Sequence, residues 1–145
     1  MKYSTEGVIN KPIDEVIRLF DDPKLMTKWM EGLQSFEHIS GTPGQPGAKS
    51  KLIWQMGKRR MEMTETVLVR NLPHEFSGKY EGMGKTVNIV RNKFEKLGPD
   101  KTKYTTEQEF QFAGPMKLFA PLMKGMFKKQ SQKYMDAFKK FAEAA

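Results

Sequence analysis

Two periodicities divide the chain. Between Pro115 and Glu143 the apolar residues recur at i, i+3, i+4 and i+7. Met116, Phe119, Leu122, Met123, Met126, Phe127, Tyr134, Ala137, Phe138 and Phe141 fall on one side of a helical wheel. That spacing predicts one long helix with a single buried face, about 40 Å in length. Gly114-Pro115 marks its start, since proline suits a first turn whose N–H groups have no helical partner. Pro121 is expected to kink the helix or to split off its first turn. Upstream, from Leu33 to Phe112, the pattern changes to short alternating runs broken by Gly and Pro. These predict strands over Leu33–Ile39, Lys51–Met56, Met61–Val69, Phe76–Tyr80, Val87–Phe94 and Tyr104–Phe112. The turns fall at Gly41–Gly47, Gly57-Lys58, Leu72-Pro73, Gly82-Met83-Gly84 and Gly98-Pro99-Asp100. A first strand covers residues 2–10. Two short helices follow it, one opened by Lys11-Pro12 and one capped by Asp22 with Pro23 in its first turn and Gly32 at its end.

The order is therefore β-α-α-β-β-β-β-β-β-α in a single domain over residues 1–145. Strands joined by short loops pair antiparallel, and one long helix can cover only one face of the sheet. The fold class expected is α+β: a curved antiparallel sheet of about seven strands wrapped around the C-terminal helix. The two short helices would lie across the sheet's open end.

Alternation also predicts which side chains face the helix. Tyr104, Thr106, Gln108, Phe110 and Phe112 share one face of the last strand. Leu52, Trp54 and Met56 share a face of the hairpin's first strand, opposite Ile53 and Gln55, and Met61 and Met63 share one face of the next strand. Phe76 and Tyr80, then Asn88, Val90, Asn92 and Phe94, continue that surface. With Trp29 from the second short helix and Phe119, Met123, Met126, Gln130 and Tyr134 from the long one, the interior is rich in rings and methionine. Eleven Met in 145 residues suits an adaptable apolar lining. Packed solid, the same side chains would make an ordinary core. Asn88, Asn92, Gln108 and Gln130 must find partners there, either one another, water or a ligand.

Charge adds one feature. The chain carries +8, of which +5 sits in residues 115–145, with seven Lys against two acids. A solvated helix back explains this without any partner. Attraction of Lys117, Lys124, Lys128 and Lys139 to an anionic membrane is the sharper reading. Nucleic acid is a weaker one, because no nucleic-acid motif is present and the aromatics are expected on the opposite, buried face.

Other chemistry is sparse. Cysteine is absent, no apolar run is long enough to cross a membrane, and the N-terminus lacks the apolar stretch of a signal peptide. A cytoplasmic location is the default. His38 and His74 stand in no metal-ligand spacing, so neither a metal nor another cofactor is expected. The three glycines of Gly41–Gly47 precede neither GK[ST] nor a helix, so they read as a turn. Glu62 and Glu65 point to opposite faces of one strand and cannot act as a pair. No catalytic set emerges.

Three stretches carry a family resemblance. They are Ile9-Asn10-Lys11-Pro12-Ile13-Asp14-Glu15-Val16 with Phe20-Asp21-Asp22-Pro23 and Trp29; then Ser40–Gly47 with Met63–Val67 and Leu72-Pro73; then Thr105–Phe112 running into Gly114 and the long helix. The chain resembles the START-like, or SRPBCC, superfamily with its helix-grip, birch-pollen-allergen-like fold. Within it the chain is most similar to the polyketide cyclase/dehydrase and lipid-transport group. The resemblance implies a cavity for an apolar ligand between sheet and helix, and transfers no catalytic residue. The leading expectation is a protein that binds or carries a small hydrophobic or amphipathic molecule, lipid or polyketide-like. The alternatives are a cyclase or dehydratase and a docking module for anionic surfaces.

Overall fold

The structure, a computed structural model, describes residues 1–82, 86–112, 114 and 116–145. The expected turn at Gly82-Met83-Gly84 and the expected helix start at Pro115 fall partly outside these residues. Seven strands form one antiparallel sheet: β1 (Lys2–Ile9), β2 (Leu33–Ser40), β3 (Lys49–Met56), β4 (Arg59–Asn71), β5 (Glu75–Glu81), β6 (Val87–Gly98) and β7 (Lys101–Gln111). Their spatial order is β1-β7-β6-β5-β4-β3-β2, so the first two strands in sequence are the two edges. Helices α1 (Ile13–Phe20) and α2 (Met26–Trp29), with a 3₁₀ turn over Pro23–Leu25, carry the chain from one edge to the other. The Asp22 carboxylate accepts from the Lys24 N–H at 3.0 Å, the cap that the Asp-Pro pair predicts. Gly32, at φ 91°, takes the chain out of α2 in a conformation that side chains with a Cβ rarely adopt. Edge strand β2 pairs with β3 alone, and its register shifts twice, between Leu33 and Ser35 and between His38 and Ser40.

The long helix α3 runs over Met116–Ala144. Pro121 lies inside it and does not split off a first turn; so near the helix start, proline breaks a bond close to the frayed end. The main core is built where α1 and α2 lie over the sheet. Ile9, Val16, Leu19, Trp29, Phe94, Tyr104, Met135, Phe138 and Ala142 are buried together there. A smaller cluster forms around Leu33, Leu52 and Trp54.

The single buried stripe expected along α3 is not what the structure contains. In its second half Ser131, Met135, Phe138 and Ala142 are buried. In its first half Phe119, Leu122 and Met126 are 53%, 83% and 62% exposed, and Leu118, outside the expected stripe, is 81% exposed. Apolar residues occupy most of the wheel there, but only the narrow face around Ala120, Met123 and Phe127 turns toward the rest of the protein. The aromatics are therefore not all on a face opposite the lysines, since Phe119 is exposed on the same segment as Lys117 and Lys124. No described helix is long and apolar enough to cross a membrane.

Candidate functional site

A cavity of about 470 Å³ lies between the inner face of the sheet and α3. Its walls follow from alternation on each strand. Ser50, Trp54 and Met56 of β3 have one parity. So do Met61, Met63, Glu65 and Val67 of β4, Phe76 and Tyr80 of β5, Asn88, Val90 and Asn92 of β6, and Tyr104, Thr106, Gln108 and Phe110 of β7. Helix α3 contributes Phe127, Gln130, Ser131, Tyr134 and Met135. Trp29 borders one end of the cavity, and Phe36 and His38 border it from edge strand β2.

Of the residues expected on this lining, Trp29, Trp54, Met56, Met63, Phe76, Tyr80, Asn88, Asn92, Gln108, Phe110, Gln130 and Tyr134 border the cavity. Phe112, Phe119, Met123 and Met126 do not. Phe112 follows the last residue of β7, where alternation no longer sets its direction, and stacks on Phe110 and Phe127 at 5.8 and 6.2 Å. Phe119 and Met126 face solvent, and Met123 is half-buried on the early part of α3, away from the cavity.

The interior amides bond mainly within the protein. Asn92 Oδ1 accepts from the Tyr104 hydroxyl at 2.7 Å and from Thr106 at 3.3 Å, while its Nδ2 donates to the Phe76 carbonyl. Asn88 Nδ2 donates to Gln108 Oε1 at 3.3 Å, and Gln108 Nε2 donates to Ser131 Oγ at 2.8 Å. Ser131 and Tyr3 share a hydrogen bond of 2.7 Å. Three buried polar atoms of wall residues, Asn88 Oδ1, Trp54 Nε1 and Trp29 Nε1, have no partner among the described residues. A buried polar group in that state costs free energy until something meets it.

The most consequential wall residue is Glu65, which alternation sets on the face opposite Glu62 but which was not among the residues expected on the lining. It is 5% exposed and accepts a hydrogen bond of 2.6 Å from the Tyr80 hydroxyl. Sheet register sets Ser50 opposite Glu65, Glu65 opposite Tyr80 and Tyr80 opposite Asn88, a polar row across four strands. The signal for Glu65 was in the sequence: it shares parity with Met61 and Met63. Burial raises the Glu65 carboxyl above the usual carboxylate range, partly countered by the bond from Tyr80. Burial also lifts the Tyr80 hydroxyl well above its usual range, and the adjacent carboxyl adds to that. Tyr104 is pushed up to about 12 by burial. Asp21, the other cavity acid, is held by Arg70 in two bonds of 2.9 and 2.6 Å. No group of three or more metal-ligating side chains gathers among the described residues.

A sheet curled around a C-terminal helix over a ring- and methionine-lined space defines the helix-grip class of protein. Within that class, residues 1–143 match the polyketide cyclase / dehydrase and lipid transport family, and the chain belongs to it. A START superfamily protein from Mycobacterium smegmatis has a similar structure, with TM-score 0.80, 14% identity, and 99% of this chain and 97% of that one covered. The Zhui aromatase/cyclase from Streptomyces sp. R1128 is similar at TM-score 0.78 and 11% identity, covering 99% and 93%. A conserved protein from Geobacillus kaustophilus is similar at TM-score 0.81 and 15% identity, covering 98% and 95%. At these identities the likeness is one of fold. No curated protein matches the sequence.

Proposed function

We propose that the chain binds a small hydrophobic or amphipathic molecule, lipid or polyketide-like, in the cavity between sheet and α3. The observation that carries this is the cavity itself. Its volume of about 470 Å³ is in the usual range for small-molecule sites, and aromatic and methionine side chains dominate its wall. Its scattered unpartnered polar atoms suit one end of an amphipathic ligand. The test is fluorescence titration with the uncharged dye N-phenyl-1-naphthylamine, together with native mass spectrometry of the protein as purified. Saturable uptake at one site, lost when Trp54 and Met63 are enlarged or made polar, is expected. Failure to retain or accept any apolar molecule overturns the proposal.

A carrier of such a ligand needs a surface on which to collect it, and we propose that the first half of α3 docks on anionic membranes. Leu118, Phe119, Leu122 and Met126 are exposed on one stretch of helix among Lys117, Lys124, Lys128 and Lys129. From Phe110 to Met135 the sequence contains no acidic residue. None of these lysines is in an ion pair among the described residues. Apolar side chains flanked by lysines suit an anionic bilayer, whose charge attracts each nearby lysine by about 1 kcal/mol. A second copy of the chain would set like charges against each other. Cosedimentation should occur with vesicles containing phosphatidylglycerol, weaken in salt, and fall sharply in Leu118→Asp/Leu122→Asp. Equal binding by that variant, or dimerisation through this face in place of vesicle binding, overturns the docking proposal.

The Glu65–Tyr80 pair supports a second reading, a cyclase or dehydratase. In its protonated form, favoured by burial, the Glu65 carboxyl beside an enolisable polyketide carbonyl can act as a general acid toward its oxygen. Cyclisation of a poly-β-ketone that persists unchanged in Glu65→Gln would remove Glu65 from that role.

A further inference from the structure

The chain has 25 Lys and Arg residues, yet no described residue of either type borders the cavity. The two carboxyls on its wall are Asp21, already paired with Arg70, and Glu65, whose sole protein partner among the described residues is the Tyr80 hydroxyl. The remaining polar wall atoms are hydroxyls, amides, the indole N–H groups of Trp29 and Trp54 and the imidazole of His38 at the exposed margin.

From this wall we infer that the cavity selects uncharged ligands, taking a carbonyl or hydroxyl oxygen at the Ser50–Glu65–Tyr80–Asn88 row and rejecting carboxylates and phosphates. The inference rests on the cavity-binding reading above and narrows it to a ligand class. An anion brought into this space loses its hydration and meets no described cation, which is a costly exchange in an apolar surround. The Glu65 side chain makes that worse. As a carboxylate it repels the anion; as an acid it supplies a hydrogen bond but no charge. A neutral oxygen suffers neither penalty. It can accept from the Trp54 N–H, or from the Glu65 carboxyl when that is protonated, and a hydroxyl can also donate to Asn88 Oδ1, which has no partner among the described residues. The overall charge of +8 does not reverse this, because fields from exposed lysines are screened by salt within about 8–10 Å.

The experiment uses matched naphthalenes that displace N-phenyl-1-naphthylamine from the whole protein at neutral pH. 2-Acetylnaphthalene and 2-naphthoate have nearly the same shape and differ in charge; 2-ethylnaphthalene has no oxygen; 2-naphthylmethylamine is a cation. The ketone is expected to bind at least about tenfold tighter than the naphthoate. Glu65→Met should weaken the ketone roughly three- to tenfold and leave the hydrocarbon unchanged. Met56→Arg, at a partly exposed position on the wall, should raise naphthoate binding relative to the ketone. Naphthoate or amine binding as tight as the ketone overturns the inference while leaving cavity binding intact. So does a Glu65→Met variant that treats all four compounds as the wild type does, or that weakens ketone and hydrocarbon alike. If neither the dye nor any naphthalene binds, the cavity-binding reading falls, and this inference with it.

Discussion

At one end of the sheet Phe94 stacks on Tyr104 at 4.7 Å and Phe138 meets Trp29 at 4.8 Å, with Phe20 touching all four rings. At the other end Trp54, Met63 and Tyr80 stand around open space. Residue type does not explain the contrast, because both ends are rich in aromatic and sulfur side chains. What differs is the second layer. Helices α1 and α2 lie over the first end and supply Val16, Leu19 and Phe20 to fill it, whereas at the second a smaller cluster forms in which Met26, Met30 and Tyr134 pack against Leu33, Leu52 and Trp54. Helix α3 repeats the contrast along its own length, buried through Phe138 and Ala142 and exposed at Leu118 and Leu122. Packing thus holds one end of the rod, and the proposed membrane contact falls at the other.

Substitutions can break that division. Phe138→Ala at the packed end should cost about 3–5 kcal/mol in denaturant unfolding, because the side chain is fully buried among rings that cannot collapse into its place. Glu65→Gln tests the open end through pH. The folded-state pKa of Glu65 is raised, so its contribution to stability is complete below its ordinary value and is lost as pH rises through the raised one. Wild-type protein should therefore lose thermal stability over that interval, and the variant should lose less; parallel curves would show that the carboxyl is not held in this way. Tyr104→Phe removes the bond to Asn92 at the boundary between the two ends and should cost about 1 kcal/mol. Leu122→Ser should move stability by less than about 0.5 kcal/mol, because that side chain already faces water. A large loss there would show that the first half of α3 is covered after all.

Period-two alternation was enough to orient Tyr104, Thr106, Gln108 and Phe110, since a sheet with one covered face allows no other arrangement. Asp22-Pro23 fixed a helix start through the geometry of its cap. Glu65 stayed outside the expected lining because an apolar interior favours rings, methionines and amides, and parity alone does not say that a carboxyl will be buried among them. The start of α3 escaped for a different reason. Periodicity reports which residues share a face, but it contains nothing about whether the rest of the chain is long enough to cover that face. Phe119, Leu122 and Met126 share their face as expected, and no described residue covers it. The cavity is invisible in the same sense: the residues that line a space and those that fill one are drawn from the same set.

The two register shifts in β2 have a consequence for how the molecule behaves in a crowd. A free strand margin presents unpaired amides on which a neighbouring chain can build, and flat, regular margins are the most hazardous. Each slip twists the ribbon locally and throws its repeat out of step, so an incoming strand cannot zip along its full length. The rim beside the cavity can thus lie at a free edge while offering a poor template for fibre growth.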